Sequence, residues 1–280
     1  MTNNVLQPTT TRARSLALTT NQKSFLLFLL ILIIFLGFWE LGARIGWFLP
    51  IMPSASQTIK DFWFWISNPF FDYDFDYDPN DQGIGWLLLT SLRRVLTGFL
   101  IGSAIAVPLG ILLGLSRVAA RAVDPFIQVL RPVSPLAWLP LGLALMKDSE
   151  KTDLFVIAIT SIWPTLSNTI FGVSNVDPAY LNIARTLGAS RWRTIRKVIL
   201  PAAVPSIVAG LRISLGIAWL VIVAAEILLS GGIGYFIWNE WNNLKITSII
   251  TAILIIGLVG LVMDRLFGLL QTKVSFGQRS

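Results

Sequence analysis

The chain has 280 residues, of which 54% are hydrophobic and 13% are charged, and its formal net charge is +7. A mean hydropathy of +0.70 is too high for a soluble domain of this length, so the sequence predicts an integral membrane protein. Cysteine and histidine are absent from the sequence, which excludes disulfides, thiol nucleophiles, histidine bases and the usual zinc sites. We interpret the positive charge as cytoplasmic loops and expect no nucleic-acid partner.

Apolar runs predict six membrane-spanning helices, since a span needs about 20 residues. We place them at residues 24–45, 87–116, 123–146, 152–174, 203–229 and 246–268. The first run lacks a small-residue cleavage site, so it is interpreted as a retained helix and not as a secretory signal. The predicted organisation is a disordered cytoplasmic N-terminus (1–19), a first transmembrane helix with an acidic external segment (20–86), a five-helix core (87–270) and a cytoplasmic tail (271–280).

The acidic segment Phe71–Asp81 alternates aspartates with aromatic residues. Its aspartates repel one another and must face water, while the aromatic residues suit a partner or the membrane interface. A calcium loop is the alternative, but the glutamate that such a loop needs at its twelfth position is missing. We therefore expect an external segment that does not bind calcium.

Small residues recur every four positions on the second span, at Gly98, Gly102, Ala106 and Gly110. Such a ladder lets two helix backbones approach closely, so it predicts a tight bundle or a dimer seam. The third span contains Pro132, Pro135 and Pro140, each of which removes a backbone donor. The prolines therefore kink or break this span, and a break is tolerated where the backbone is buried in protein or lines a cavity. For each proline taken singly we favour a kinked helix that only packs.

The segment Asp177–Pro201 is basic and amphipathic and lies between two apolar spans. Asp177 and Pro178 form a helix start, and Gly188 suits the left-handed conformation that ends a helix. Ser190 can begin a second helix, which Leu200 and Pro201 are predicted to end. The pattern predicts a helix–turn–helix docking element, and the alternative is a basic loop that only sets membrane orientation.

Orientation follows from the distribution of lysine and arginine, which favour the cytoplasmic side. With the N-terminus inside, 15 of the 22 basic residues lie on the cytoplasmic side. These are Arg12, Arg14, Lys23, Arg117, Arg121, Arg131, Arg185, Arg191, Arg193, Arg196, Lys197, Arg212, Arg265, Lys273 and Arg279. We therefore expect both termini and the 177–201 loop to be cytoplasmic.

The same loop resembles the EAA loop of ABC importer permeases, whose pattern is Glu-Ala-Ala, three residues, Gly, nine residues, Ile, any residue, Leu-Pro. Ala184, Gly188, Leu200 and Pro201 match the pattern, whereas Asn182, Ile183 and Val198 replace its Glu, first Ala and Ile. The resemblance extends from about Trp86 to Met263, in phrases such as SLRRVLTGFLIG, RPVSPLAWLPLGLAL and AAEILLSGGIGY. The resemblance is strongest to the permeases of nitrate, sulfonate, taurine and bicarbonate importers. Among these, the nitrate permeases are the most similar.

This resemblance implies an all-α, six-helix type I importer domain with a cytoplasmic coupling helix. It also implies a second permease copy, two cytoplasmic ATPases that carry ATP and Mg²⁺, and an external substrate-binding protein. The permease itself is expected in the plasma membrane of a bacterial-type cell. No phosphate-binding loop of the form GxxxxGK[ST] occurs in this chain, so ATP hydrolysis is expected on other chains. The coupling residues implied are Asn182, Ala184, Gly188, Arg191, Leu200 and Pro201.

Candidates for the translocation path are polar and aromatic residues on the third, fourth and fifth spans. Neutral donors and indoles can pass a weakly hydrated anion without holding it too tightly. They are Arg131, Ser134, Trp138, Thr165, Asn168, Arg212, Ser214, Trp219 and Glu226. For Arg131 and Arg212 we favour snorkelling to the interface, and for Glu226 a structural carboxylate bonded to a neighbouring helix, because its charge would repel an anion.

Three functions remain open at this point. The first is the permease subunit of an ATP-driven importer for a small inorganic anion, nitrate or nitrite first, with bicarbonate or a small sulfonate as alternatives. The second is a stand-alone, ion-coupled secondary transporter, for which Glu226 is the one plausible intramembrane carrier of charge. The third is a scaffold without transport, which leaves the broken third span unexplained.

Overall fold

A computed structural model of the protein describes residues 19–48, 51–71, 82–229 and 231–276. The acidic segment predicted to be external lies almost entirely outside these ranges, and so do most of the N-terminal residues and the end of the tail. The helices are α1 (Thr20–Ile45), α2 (Ala55–Ser67), α3 (Ile84–Gly114), α4 (Arg117–Leu130), α5 (Leu139–Met146), α6 (Ser149–Ser174), α7 (Pro178–Thr186), α8 (Arg191–Thr194), α9 (Leu200–Leu228), α10 (Gly232–Asn242) and α11 (Ile246–Phe276).

The chain divides into two compact units, Met1–Gln57 and Thr58–Ser280. In the first unit, Thr19 and Gln22 form a capping box at the start of α1, which satisfies backbone donors that the first turn leaves free. Gly46 ends the helix in the left-handed conformation. The indole of Trp39 donates to the carbonyl of Pro53 at 3.0 Å, which ties the end of α1 to the segment before α2.

The second unit is built around α3, α6 and α9. Helices α3 and α6 run parallel, because Gly98 faces Ile157 and Gly110 faces Thr169. A Cβ atom added at Gly98 would lie 2.7 Å from the Cβ of Ile157, so the backbones touch where the sequence predicts a small-residue ladder. The ladder therefore packs within the chain, as the tight-bundle interpretation predicts.

Because α3 and α6 are parallel, the segment between them must carry the chain back across the same thickness. Helix α4 and the segment Pro135–Met146 do this as a pair bent by 92°. A short 3₁₀ helix, Pro135–Trp138, lies at the bend, where prolines remove the donors that a straight helix needs. The predicted broken third span is confirmed, although its first helix begins at Arg117, earlier than expected.

The helix after the basic loop is longer than predicted. Residues Arg191–Leu228 form one continuous apolar helix of 38 residues, which we call the long helix; it comprises α8, a π turn at Ile195–Ile199 and α9. The prediction that Leu200 and Pro201 end the loop's second helix is wrong. In the π turn the N–H of Leu200 bonds to the carbonyl of Ile195, and this wider pairing lets the helix absorb a proline near its start.

Five helices are long and apolar enough to cross a membrane, and the bent pair makes a sixth. The number and order of the predicted spans agree with this count among the described residues. Helix α2 was not predicted; its Phe62 and Trp65 pack against the cluster that joins α3, α10 and α11. The second compact unit begins at Thr58, within residues 20–86, which the sequence analysis assigns to the first transmembrane helix and the acidic segment.

Candidate functional site

The 177–201 loop adopts the local structure that its sequence predicts up to Thr194. The Asp177 carboxylate accepts the N–H of Ala179 at 2.8 Å and Pro178 occupies the first turn of α7. Gly188 has a φ of 64°, in the left-handed region that glycine adopts without steric cost. The hydroxyl of Ser190 accepts the N–H of Arg193 at 3.4 Å and begins the long helix.

The apolar residues of α7, and Leu187 directly after it, divide between two faces. Ala184 is buried against the rest of the chain, whereas Ile183 and Leu187 are exposed, Leu187 by 78%. Together with Tyr180 they line a groove of about 390 Å³ whose other wall is the long helix at Lys197, Val198 and Ala202. An exposed apolar groove beside a set of arginines is typical of a surface that another protein covers.

The residues that the EAA-like pattern singled out occupy different positions on this surface. Asn182 and Arg191 are exposed, and Gly188 forms the turn between the helices. Ala184 lies inside, where its small side chain lets α7 approach the long helix. Leu200 is half-buried and Pro201 is exposed on the first turn of α9. Their geometry is compatible with coupling, which stays a prediction.

A buried charge cluster lies at the opposite end of the long helix. Arg94 on α3 pairs with Asp153 on α6 at 3.1 Å and with Glu226 on α9 at 3.3 Å, and both carboxylates are fully buried. The Glu226 carboxylate also accepts the hydroxyl of Ser91, at 2.8 and 2.9 Å from its two oxygens. A buried charge is tolerated only when it is paired and hydrogen-bonded. Glu226 is therefore bonded to a neighbouring helix, the interpretation that the sequence favours for this residue.

Sequence reasoning missed this cluster. It assigned Arg94 to the external side as one charge among several, and it did not single out Ser91 or Asp153. A signal was present, because Asp153 and Glu226 are acidic residues within or at the edge of predicted spans, and an intramembrane acid implies a partner. What the sequence lacks is the register of α3, α6 and α9 that brings the three residues together.

Three of the predicted path residues lie between α6 and α9. Thr165 and Ser214 are fully buried and share a hydrogen bond of 2.7 Å between their hydroxyls. Ser214 is also bonded to the carbonyl of Ser161 at 2.7 Å, and the Asn168 amide donates to the carbonyl of Pro164 at 2.9 Å. In this conformation the two bonds of Ser214 join α9 to α6, whereas the Asn168 bond lies within α6.

Other path candidates lie at the broken span. Arg131 and Ser134 are exposed at the bend, and Trp138 is half-buried beside the cluster that joins α5, α6 and α9. The bend thus brings a cation, a hydroxyl and an indole to one place. Broken backbone in a membrane is tolerated where it is buried in protein or lines a water-filled cavity.

Arg212 and Trp219 line a cavity of about 320 Å³ between α9 and α11. The Arg212 guanidinium forms two hydrogen bonds of 2.7 Å with the Asp264 carboxylate and one of 3.1 Å with Gln271. The indole of Trp219 donates to the carbonyl of Ile256 at 3.1 Å. Arg212 is therefore engaged with α11, and a passing anion would compete with a carboxylate for it.

Comparisons with known proteins identify the family. Residues 106–276 match the model of the binding-protein-dependent transport system inner membrane component. The chain is 45% identical over 219 residues to the nitrate import permease protein NrtB of Leptolyngbya laminosa, covering 78% of this chain and 77% of that protein. It is 39% identical to NrtB of Synechococcus elongatus over 95% of both chains. It is also 45% identical to the bicarbonate transport system permease protein CmpB of Synechococcus elongatus, over 68% of this chain and 69% of that protein.

Solved structures support the fold. An inward-facing structure of the MetNI methionine ABC transporter aligns with a TM-score of 0.59 at 17% identity, over 68% of this chain and 96% of that chain. An amino acid ABC transporter aligns with a TM-score of 0.54 at 20% identity, over 69% and 92% respectively. The chain therefore belongs to the family of binding-protein-dependent transport system inner membrane components, the membrane-spanning permeases of ABC importers.

Proposed function

We propose that this chain is the permease subunit of an ATP-driven importer whose cargo is nitrate. The observation that carries the proposal is the identity of 39–45% to permeases named for nitrate import, at 95% coverage of both chains in one case. The bicarbonate permeases form the second candidate, because they reach the same identity over a shorter stretch. Nitrite, as a similar small anion, belongs to the first candidate.

The complex that we propose contains two copies of this permease, two ATPases that carry ATP and Mg²⁺, and an external binding protein. Its place is the plasma membrane, with both termini of the permease on the cytoplasmic side. The ATPases bind at the 177–201 loop, whose groove exposes Tyr180, Ile183 and Leu187. When ATP binding brings the ATPases together, the two loops follow and the permease opens outward; hydrolysis restores the first state.

We propose that the translocation path of the anion runs along the bend of the broken span and the surface of α9 beside it. Ser134 and Trp138 offer a hydroxyl and an indole N–H to a weakly hydrated anion, and Arg131 offers a charge at the bend. Thr165, Asn168 and Ser214 reach the anion only in a conformation in which α6 and α9 separate. Arg212 and Trp219 lie nearer the cytoplasmic exit. Glu226 is the candidate that its contacts support least, since Arg94 and Ser91 engage it.

The docking role of the loop is tested with Leu187→Ser, which removes an exposed apolar side chain without changing the buried contacts of this chain. Leu244, which is 76% exposed in the turn before α11, provides a matched control at the end of the helices away from the 177–201 loop. We expect the ATPase to co-purify with wild-type permease and with Leu244→Ser, and its yield to fall in Leu187→Ser. Equal yields in the two variants would contradict docking at this groove.

A further inference from the structure

The start of α10 is held by side chains from two other helices. Ser91 on α3 donates its hydroxyl to Glu226 and accepts the N–H of Ile233 at 3.0 Å. The Glu226 carboxylate accepts the N–H of Gly234 at 3.1 Å. Both N–H groups belong to the first turn of α10, where a helix has no acceptors of its own. Ser91 and Glu226 therefore act together as an external cap for α10.

The turn before α10 is shaped to lie on the same carboxylate. Gly231 and Gly232 have φ angles of 77° and 80°, which favour glycine strongly. A Cβ atom added at Gly232 would run into the Glu226 carboxylate. The turn therefore lies directly against the Glu226 carboxylate, which Arg94 holds by an ion pair while also pairing with Asp153.

Glu226 lies two residues before the last residue of the long helix, whose first residue is Arg191 in the basic loop. A helix of 38 residues is about 57 Å long at the standard rise per residue. Its backbone hydrogen bonds continue through the π turn, so a displacement of the loop is carried along the helix. The groove at one end and α10 at the other are thus joined by a single element.

We propose that Ser91, Arg94, Asp153 and Glu226 form a positioning device that transmits movement of the coupling loop to α10. The inference rests on the proposed function, because the ATPases must move the loop. Arg94 and Asp153 hold the carboxylate, Glu226 carries the movement, and Ser91 locks the first turn of α10 to it. The segment that responds is α10, whose Trp238 and Trp241 are exposed.

The test uses Ser91→Ala in the complete complex. This substitution removes the hydroxyl that bonds Glu226 and the N–H of Ile233, together with its bond to the carbonyl of Leu87 within α3, while Glu226 stays paired with Arg94. Ser103→Ala is the matched control: Ser103 is also buried on α3, but its hydroxyl has no hydrogen-bond partner among the described residues. We expect basal ATP hydrolysis to stay within about twofold of wild type in both variants, whereas stimulation by nitrate-loaded binding protein falls about fivefold in Ser91→Ala alone, as the loss of one net hydrogen bond implies.

A second readout follows the movement itself. The chain has no cysteine, so a fluorophore on Asn242→Cys reports on the end of α10 without other labelling. We expect ATP to change its emission in the otherwise wild-type complex and in Ser103→Ala, and the change to be lost in Ser91→Ala. Gly232→Ala, which displaces the same turn by a different route, should give the same loss.

Two results would overturn the linkage. One is wild-type stimulation and a wild-type fluorescence response in both Ser91→Ala and Gly232→Ala. The other is an equal loss of basal and stimulated ATP hydrolysis in Ser91→Ala, which would show that the hydroxyl only stabilises the fold. If the wild-type complex itself fails to respond to nitrate-loaded binding protein, the proposed function is contradicted first, and the linkage with it.

Discussion

Gly188 is the residue on which the geometry of the basic loop depends most. A Cβ atom there would meet no described residue within 4 Å, but the φ angle is 64°, so the cost of a substitution is backbone strain. A β-branched side chain is the most costly in this conformation, by about 1–3 kcal/mol. We predict that Gly188→Val lowers transport-coupled ATP hydrolysis while the permease still inserts in the membrane.

Gly188→Asn is the matched control for that prediction. Asparagine tolerates the left-handed conformation better than other residues with a side chain, so this variant should keep most of the coupling. Coupled ATP hydrolysis, measured with reconstituted complex, distinguishes the two. Full coupling in Gly188→Val would show that the turn between α7 and the long helix does not control docking.

Arg212 lies at the proposed cytoplasmic exit but is already bonded to Asp264. If its charge eases anion release, Arg212→Gln should lower nitrate uptake by more than it lowers ATP hydrolysis, and Arg212→Lys should restore part of the loss. Asp264→Asn removes the carboxylate charge that competes for the guanidinium, so in this variant uptake should be kept or increased. Arg131→Gln, at the bend, should resemble Arg212→Gln. Nitrate uptake is to be compared only among complexes that still hydrolyse ATP.

A purely structural ion pair predicts a different result. Arg212→Gln and Asp264→Asn would then lower uptake equally, because each breaks the same contact between α9 and α11. Full uptake in both the Arg212→Gln and Arg131→Gln complexes would refute the exit role altogether.

Residue-level features were predictable where they depend on neighbours in sequence. The cap at Asp177, the turn at Gly188 and the cap at Ser190 each follow from a few adjacent residues, and all three are confirmed. The partners of Glu226 could not be predicted, because the packing of three helices brings Arg94 and Asp153 to it. Long-range pairing of this kind leaves no local pattern in the sequence. The sequence shows only an acid whose burial would be unfavourable without a partner.

At the level of helices, the contact between α3 and α6 depends on glycine. A side chain at Gly98 would place its Cβ atom 2.7 Å from that of Ile157, and overpacking of this kind costs about 1–3 kcal/mol. We therefore predict that Gly98→Ala lowers the thermal unfolding midpoint of the purified permease in detergent.

Gly257 on α11 supplies the control, because a Cβ atom there would meet nothing within 4 Å in the part of the chain that the structure describes, and its backbone is helical. Gly257→Ala should leave the unfolding midpoint unchanged or raise it, since alanine is the better helix former by about 1 kcal/mol. Equal midpoints in wild type and Gly98→Ala would mean that the two helices are not held in close contact.

Helix-level predictions succeeded for packing and for breaks, and failed at several boundaries, above all at Pro201. The ladder from Gly98 to Gly110 and the prolines of the third span each act through backbone geometry, which the sequence displays directly. Pro201 was expected to end a helix by the same reasoning. It does not, because a π turn just before it changes the hydrogen-bond pattern, and the tertiary packing of α9 favours a helix that continues.

For the whole molecule, the orientation proposed from charge is open to a direct test. Thr186 lies before the long helix and Asn243 lies after it, and both are exposed. Each can be replaced by a cysteine in a chain with no cysteine of its own. A membrane-impermeant thiol reagent added outside intact cells should label Asn243→Cys and leave Thr186→Cys unlabelled. The reverse pattern would overturn the topology and the placement of the ATPases with it.

The family could be recognised from the sequence because the basic loop and several apolar phrases match its members, and the comparisons confirm it. The cargo is harder to read from the permease, since relatives named for nitrate and for bicarbonate reach the same identity. The excess of arginine on the proposed cytoplasmic side favours an anion at the exit, but orientation alone predicts the same excess. Specificity therefore has to be measured on the transported solute.

The most direct measurement is uptake by the complete complex, reconstituted in liposomes with its binding protein, with labelled nitrate, bicarbonate and a small sulfonate compared side by side. We predict saturable nitrate uptake that requires ATP, is competed by nitrite, and is not competed by an equal concentration of the sulfonate. Saturable uptake of bicarbonate or of the sulfonate, without competition from nitrate, would contradict the account.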